Sequence, residues 1–463
     1  MCIERTFAAR LATCLNLLVG FANLRIRGRV IAASGAGVDL AGMSGLVNIG
    51  DRVRLSSCGG APVLAEVVGF NRQGCRAIAY HNFGAWGLGS FVSSGLPAVR
   101  GQLSVHHTWL GRVIDPLGCP LDGRGPLAVG ENARSIHQEP PPAASRASLG
   151  DRLDLGVAAL NLFATCRHGQ RLGMFAGSGV GKSTLMGMMA ENTKCDVTII
   201  AMIGERGREV REFIENKLSK SSQQKSIVVV ATSDSSNFMK KEATLSALTI
   251  SEYFRDMGCS VLLIVDSITR YCNALREIAM LAGETPLARG YPASVFSDLS
   301  NLVERAGPGV ESDGRGGYVT AMFSVLVDGD DFNDPVADAI RGFLDGHVVL
   351  DRKIAERGLY PAINILKSLS RSVPECNSTI ENSITMSARK FILLHEEMYD
   401  MIRLGLYRPG SNNLVDKAIK IVPKIEQMLM QDINCNKNIH EHFSDLYNII
   451  EEIDSPQKSI KSE

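Results

Sequence analysis

The stretch of this 463-residue chain best suited to chemistry is Ala176-Gly-Ser-Gly-Val-Gly-Lys-Ser183. It follows an apolar run ending at Phe175 and precedes a helical run from Thr184 to Ala190. Residues as small as Ala176, Gly177, Ser178, Gly179, Val180 and Gly181 let the backbone close around a phosphate chain, so that successive N–H groups and a helix N-terminus face the anion. Lys182 then reaches the β- and γ-phosphates, and the Ser183 hydroxyl is placed to hold Mg²⁺. The first glycine usual in such loops is Ala176 here, which adds a methyl at the turn entrance. A glycine-rich turn without a ligand is the plainer reading, and the strand before it and the helix after it weigh against that.

Two carboxylates belong with this loop if the strands around it form a parallel sheet, because such sheets bind ligands at the carboxyl ends of their strands. Asp266 ends Val261-Leu-Leu-Ile-Val265, where an acid holds the water shell of Mg²⁺. A simple helix cap shared with Ser267 is its alternative role. Glu205 follows Ala201-Met-Ile-Gly204 and can orient and polarise a water attacking the γ-phosphate. By itself it reads equally as a surface ion pair with Arg206 or Arg208.

The elements that must position these groups are legible in the chain's texture. Residues 20–96 are glycine-dense, with short β-branched runs such as Pro62-Val-Leu-Ala-Glu-Val-Val, the pattern of a small twisted β-barrel. The Pro- and Ala-rich stretch Glu139-Pro-Pro-Pro-Ala-Ala-Ser145 marks 97–149 as a connecting segment. Over 150–377, strand-length runs apolar on both faces alternate with helical stretches, which calls for an α/β domain whose parallel sheet is covered on both sides. Helical periodicity dominates 378–453, with Met398, Ile402, Leu404 and Leu406 in one candidate segment, and 454–463 is a polar tail. In residues 1–19, Ile3, Phe7, Leu11, Leu15 and Leu18 recur at helical spacing, predicting a short amphipathic helix. Asn16 and Asn23 interrupt the stretch that most resembles a secretion signal.

With 49 Lys plus Arg against 49 Asp plus Glu the formal net charge is zero, which argues against a chain that coats nucleic acid through excess basic side chains. The eleven cysteines show no metal-ligand or redox spacing, so a reducing compartment is expected. No uncharged apolar run is long enough for a membrane-spanning helix.

Taken together these segments resemble the rotary ATPase family, in particular the ATPases of type III protein export. The strings that carry the likeness are Gly111-Arg-Val-Ile-Asp-Pro-Leu-Gly118, the phosphate loop, Gly204-Glu-Arg-Gly-Arg-Glu-Val210, Asp266-Ser-Ile-Thr-Arg-Tyr271, Arg289-Gly-Tyr-Pro-Ala-Ser-Val-Phe296 and Leu302-Val-Glu-Arg-Ala-Gly307. Phe175 to Ser183 and Asp331-Phe-Asn-Asp-Pro-Val-Ala-Asp338 are similar to the export branch, in which Ala176 is the familiar residue. Glu397 to Asn412 is similar to the C-terminal domain of its flagellar members, with the injectisome ATPases close behind.

The resemblance implies Mg²⁺-dependent ATP hydrolysis in a ring of six copies, serving protein export on the cytoplasmic face of the membrane as a peripheral subunit. It implies that Arg371 projects into the neighbouring subunit's site, where a guanidinium stabilises charge on the transferring phosphoryl group. Tyr360 matches the residue whose ring packs on adenine, Arg206 is carried over as a nucleotide contact, and Arg270 as a lesser one. It also implies a regulatory stator dimer bound through residues 1–19, a central coiled-coil stalk, and the export gate with cargo-chaperone complexes as partners.

Two other readings compete. A non-catalytic ring subunit would bind nucleotide without hydrolysing it, but such subunits generally lack an acid at the place of Glu205. A nucleic-acid translocase would need a basic, aromatic-rich N-terminal module, and the aromatics of 20–96 (Phe21, Phe70, Tyr80, Phe83, Trp86 and Phe91) come without marked positive charge, so no nucleic-acid partner is expected.

Overall fold

The computed structural model describes residues 25–34, 37–56, 61–81, 86–95, 101–287, 289–310, 316–327, 334–433, 435 and 437–454. The helix expected over 1–19, nearly all of the polar tail, and Asp331 to Asn333 of the matched string lie outside the described residues.

The glycine-dense region folds into a closed barrel. Its strands are β1 (Arg25–Ser34), β2 (Gly37–Ala41), β3 (Arg52–Ser56), β4 (Val63–Asn71), β5 (Gly74–Ala79) and β6 (Phe91–Gly95), in the order β1-β2-β5-β4-β3-β6. Inward residues such as Leu40, Val53, Leu55, Val67, Ala77 and Val92 fill the barrel. Close curvature sets the glycine content: a Cβ on Gly74 would lie 1.8 Å from the Leu40 carbonyl oxygen, so no side chain fits where β5 meets β2.

The central domain is built on β7 (Val113–Ile114), β8 (Arg171–Ala176), β9 (Val197–Ile203), β10 (Ser226–Ala231), β11 (Ser260–Asp266), β12 (Tyr318–Leu326), β13 (Gly346–Leu350) and β14 (Ile363–Ser370). The spatial order is β14-β13-β8-β12-β11-β9-β10-β7, parallel throughout except for β14. Thus the segment 97–149 is more than a tether, since β7 lies within it and closes one edge of the sheet.

Every residue of β9 is buried. Alternate residues serve two separate cores: Ile199, Ala201 and Ile203 join Leu263 and Val265 on one face, while Ile200 and Met202 join Leu262 and Ile264 on the other. That division is why the strands read as continuous apolar runs. Helices α1 (Lys182–Asn192) and α2 (Gly207–Asn216) cover the second face. On the first lie α3 (Asn237–Asp256), α4 (Ile268–Ala282), α5 (Ala293–Arg305) and α6 (Pro335–Phe343).

The C-terminal helices are α7 (Thr379–Arg403), α8 (Asn413–Leu429) and α9 (Ile439–Asp454). Ser378 and Glu381 form a reciprocal cap at the start of α7. Phe391, Ala418, Ile421, Ile425, Phe443 and Leu446 make their core, which extends onto Leu162 and Phe163 of the central domain. Leu404 and Leu406, read from periodicity as helical, lie beyond it. The helix ends at Arg403, Gly405 takes φ +70, and both leucines are exposed. Leu406 continues the four-residue spacing of Met398 and Ile402, but Gly405 in the left-handed region ends the helix before it.

A buried ion pair welds α3 to α5. Arg305 donates from Nε and Nη2 to the two Glu252 carboxylate oxygens at 2.8 and 2.9 Å, and from Nη1 to the Ile136 carbonyl at 2.6 Å. Removing one partner strands the other charge in a low-dielectric interior. Arg305→Ala should therefore lower the unfolding free energy by about 3–5 kcal/mol, read as a drop in the denaturant midpoint at unchanged slope.

Candidate active site

Strand β8 delivers the phosphate loop to the carboxyl edge of the sheet. Ala176 is its last, buried residue in extended backbone, where a methyl costs nothing, and its carbonyl accepts from the Val327 N–H at 3.1 Å. Glycine is required further on, because Gly179 and Gly181 take φ +79 and +89. Gly177 is buried, Ser178 and Gly179 are exposed, and Val180 pins the loop into the core beneath it. Gly181 caps α1 without any side-chain acceptor, leaving the first-turn N–H groups directed at the place an anion would occupy.

Lys182 opens that helix and reaches across to the neighbouring strand ends. Its Nζ lies 2.5 Å from Asp266 Oδ1 and 3.6 Å from Glu205 Oε1. Asp266 closes β11 and is buried, and Glu205 stands just after β9, the next strand in the sheet. These three residues, with exposed Ser183, line one cavity of about 170 Å³. Cation, two acids and hydroxyl come together because three parallel strands end at the same edge.

Burial raises the Glu205 carboxyl above its ordinary range, and the nearby Asp266 charge adds to the effect, while Lys182 and Arg270 pull the other way. A carboxyl so disposed accepts a proton more readily than one in water. The Arg270 side chain packs over Gly204, where a Cβ would lie 2.9 Å from Arg270 Cδ, which keeps that guanidinium beside Glu205.

Tyr360 is brought to the loop from the far side: a Cβ on Gly181 would meet the Tyr360 ring at 3.2 Å. The ring keeps 42% of its surface exposed. It also borders a cleft of about 570 Å³ between Asp351–Leu366 and helices α7 and α8, with Ile392, Tyr399, Leu429 and Met430 among its walls.

Thr184, the third residue of α1, accepts a hydrogen bond at 3.3 Å from Lys217. Arg206 is a different case. Its side chain is three-quarters exposed, 3.9 Å from Glu209, and is not among the cavity walls.

Arg371 stands at the other end of the sheet. It follows β14, which runs antiparallel to β13 with Ser370 opposite Gly346, and its N–H donates to the Asp345 carbonyl at 2.8 Å. Asp345 in turn accepts from the Arg171 N–H, at the start of β8, at 3.0 Å. The six residues of β8, about 20 Å of strand, therefore separate Arg371 from its own phosphate loop. A single chain does not bring Arg371 to Lys182.

Sequence reasoning did not single out Glu209, Glu212, Phe213 and Lys217, which complete the cavity wall. The signal was present in their spacing, since 212 and 213 lie three and four residues after 209, on one side of α2.

Comparison with known proteins gives this geometry a family. Residues 156–370 match the ATP synthase alpha/beta family nucleotide-binding domain. Residues 381–448 match the C-terminal domain of the EscN ATPase of type III secretion. A flagellum-specific ATP synthase of Caulobacter vibrioides is 44% identical across 92% of this chain and 96% of its own length. The chain belongs to the family of flagellum-specific and type III secretion ATPases. A second relative, the SPI-2 type 3 secretion system ATPase of Salmonella typhimurium, is 43% identical over 80% of this chain and 83% of its own. Among solved structures, the assembled ATPase EscN of enteropathogenic E. coli in complex with its central stalk EscO superposes with a TM-score of 0.82 at 33% identity. That superposition covers 91% of this chain and all of EscN. Like its family, the chain is a nucleotide-hydrolysing ATPase, and its barrel, parallel-sheet domain and C-terminal helices are the fold class expected from the chain's composition and periodicity.

Two measurements follow from the site. A Glu205 that takes up a proton in turnover must start ionised, and its affinity for protons is raised, so in that role kcat/KM should decline with falling pH from a point above the ordinary Glu value of about 4.5; an acid limb at or below that value contradicts it. Replacing Tyr360 by Ala should weaken ATP binding by ~1–3 kcal/mol, measured with a fluorescent nucleotide.

Proposed function

We propose that this chain hydrolyses Mg-ATP at the interfaces of a six-membered ring of its own copies and thereby energises or primes export of flagellar proteins. The observation that carries the reading is the meeting of Lys182, Glu205, Asp266 and Ser183 in one cavity at the mouth of the phosphate loop. The loop N–H groups and Lys182 hold the β- and γ-phosphates, and Glu205 accepts a hydrogen bond from the water that attacks the γ-phosphorus. As the bond from the water oxygen to the γ-phosphorus forms, the bond from that phosphorus to the bridging oxygen breaks, the water's proton passes to Glu205 and on to solvent, and ADP and inorganic phosphate leave.

Mg²⁺ suits the residues present, since a hydroxyl and a buried carboxylate face one another across a cavity with room for phosphate oxygens and water. Ser183 and Asp266 would hold it, and when bound it neutralises charge on the phosphates. Tyr360 offers its exposed ring to the adenine. Arg206, facing solvent in the single chain, is placed to contribute only if a neighbouring subunit or the nucleotide itself draws it in.

Arg371 supports the ring. Its position at the opposite sheet edge suits a residue that completes the neighbour's site, and EscN, which this chain resembles, assembles and binds a central stalk. A central coiled-coil stalk is therefore the first partner to seek. Residues 1–19 are proposed to bind the stator's regulatory dimer, with the export gate and cargo-chaperone complexes beyond. Among the described residues no helix is long and apolar enough to cross a membrane, in keeping with peripheral attachment to the inner face of the cytoplasmic membrane. The flagellar assignment is favoured over an injectisome one because the flagellum-specific relative aligns through nearly the whole chain. A flagellar deletion strain complemented for motility would test that choice.

The interface is tested by mixing two inactive variants. Glu205→Gln and Arg371→Ala should each assemble, bind nucleotide and turn over poorly. Mixed one to one, they should recover activity at about a quarter of the interfaces, those pairing an intact Glu205 with an intact Arg371. Additive inactivity of the mixture rules out action between subunits. Wild-type activity should likewise rise more than in proportion to protein concentration.

A further inference from the structure

The barrel and the central domain meet through a buried polar clasp whose far end reaches Glu205. Tyr80, just past β5, is fully buried against Phe238 of α3, with ring centres 5.4 Å apart. Its hydroxyl lies 2.7 Å from Glu66 Oε2 and 3.0 Å from Glu242 Oε1, and accepts from Arg52 Nε at 3.1 Å. The remaining carboxylate oxygens are also engaged: Arg52 Nη2 donates to Glu242 Oε2 at 2.8 Å and Lys241 Nζ to Glu66 Oε1 at 3.3 Å. Oxygens of Glu66 and Glu242 and a ring nitrogen of His137 lie within 4.8 Å of one another. Two cations already neutralise the two acids, so a divalent ion would meet Arg52 and Lys241 as like charges. The cluster is a clasp and not a metal centre.

What the clasp holds is the start of α3 and the turn before it. The Ser236 hydroxyl caps α3 by accepting from the Met239 N–H at 3.3 Å and donates to the Tyr80 carbonyl. From Ser236 the turn runs back to Ala231, the end of β10, and is sewn to the residues bearing Glu205. The Gly204 N–H donates to the Ala231 carbonyl at 2.6 Å, and the Ser233 N–H donates to the Glu205 carbonyl at 2.9 Å. Lys240 Nζ closes the turn on the Ser233 carbonyl at 2.9 Å. One short segment thus touches the barrel at one end and the backbone of Glu205 at the other.

We propose that Ser236 is a positioning residue for hydrolysis: by tying the turn Ala231–Ser236 to the Tyr80 carbonyl, it lets the barrel set where Glu205 stands over the γ-phosphate. Whatever displaces the barrel, whether neighbouring barrels in a ring or a partner bound before β1, then moves Glu205 relative to Lys182. This inference rests on the reading of Glu205 as the residue that orients the attacking water.

The test uses full-length, assembled enzyme. Ser236→Ala should lower kcat between about ten- and a hundred-fold, the effect of a small misplacement at the reacting centre. KM for Mg-ATP should stay near the wild-type value, and amide exchange at Ser233 should quicken. Ser236→Thr, which keeps the hydroxyl, should restore most of the turnover. Should Ser236→Ala fail to assemble, Ser236→Gly replaces it, since glycine serves at a helix cap without offering a hydroxyl. Wild-type kcat in the hydroxyl-free variant overturns the proposal, as does equal loss in Ser236→Thr or slow turnover with unchanged exchange at Ser233. A Glu205→Gln enzyme that still hydrolyses ATP would instead overturn the reading beneath, so the two failures are told apart.

Discussion

The candidate site is organised around one ammonium group held between two acids. Lys182 lies 2.5 Å from Asp266 and 3.6 Å from Glu205, and that triad exists only because β8, β11 and β9 end at a common edge of the sheet. In a partly buried site such a group is held by charge as well as by packing, since attraction between unit charges a few ångströms apart grows as water is excluded. In the proposed function the lysine would exchange part of its contact with the acids for phosphate oxygens, at a site whose groups are already assembled.

The same burial that makes the site effective shapes its acid. Glu205 is removed from water and sits beside another carboxylate, both of which raise its proton affinity, while Lys182 and Arg270 act in the opposite direction. The balance therefore depends on where Glu205 stands relative to these charged neighbours. That sensitivity gives physical meaning to the backbone bonds that fix Glu205 to the turn after β10, because a small shift relative to Lys182 changes the balance.

Three domains are joined by different chemistry. The barrel meets the central domain through Arg52, Glu66, Tyr80, Lys241 and Glu242, a buried charged network that is satisfied only in one arrangement. The C-terminal helices dock chiefly through apolar contacts around Phe163, Phe391 and Ile425, fastened by Arg389 to the carbonyls of Ile365 and Phe163 at 2.8 and 2.7 Å. Further polar ties cross this junction, Arg152 to Glu381 at 3.0 Å and the Ala158 N–H to the Gln431 side chain at 2.6 Å. That junction is also where the cleft beside Tyr360 opens.

The phosphate loop, the parallel sheet and the barrel were legible from residue types alone. Positive-φ glycines followed by Lys-Ser, runs apolar on both faces, and glycine-dense β-branched segments each report a local constraint that the backbone must satisfy wherever it is. Asp266 and Glu205 were legible as strand-end acids for the same reason, whereas Arg371 entered only through the family resemblance. Local pattern misled at Leu404 and Leu406, where Gly405 ends the helix, and it passed over β7, which gains its place in the sheet only by pairing with β10. Nor did it reach the contacts of Tyr80 with Glu242 and Ser236, which join groups 156 or more residues apart along the chain. Contacts of that span are set by how domains pack, and no periodicity of a single segment encodes them. Composition and spacing therefore determined which chemistry the chain carries, and the tertiary structure decided which groups meet, because distance in space is fixed by the whole core and not by any one stretch of sequence.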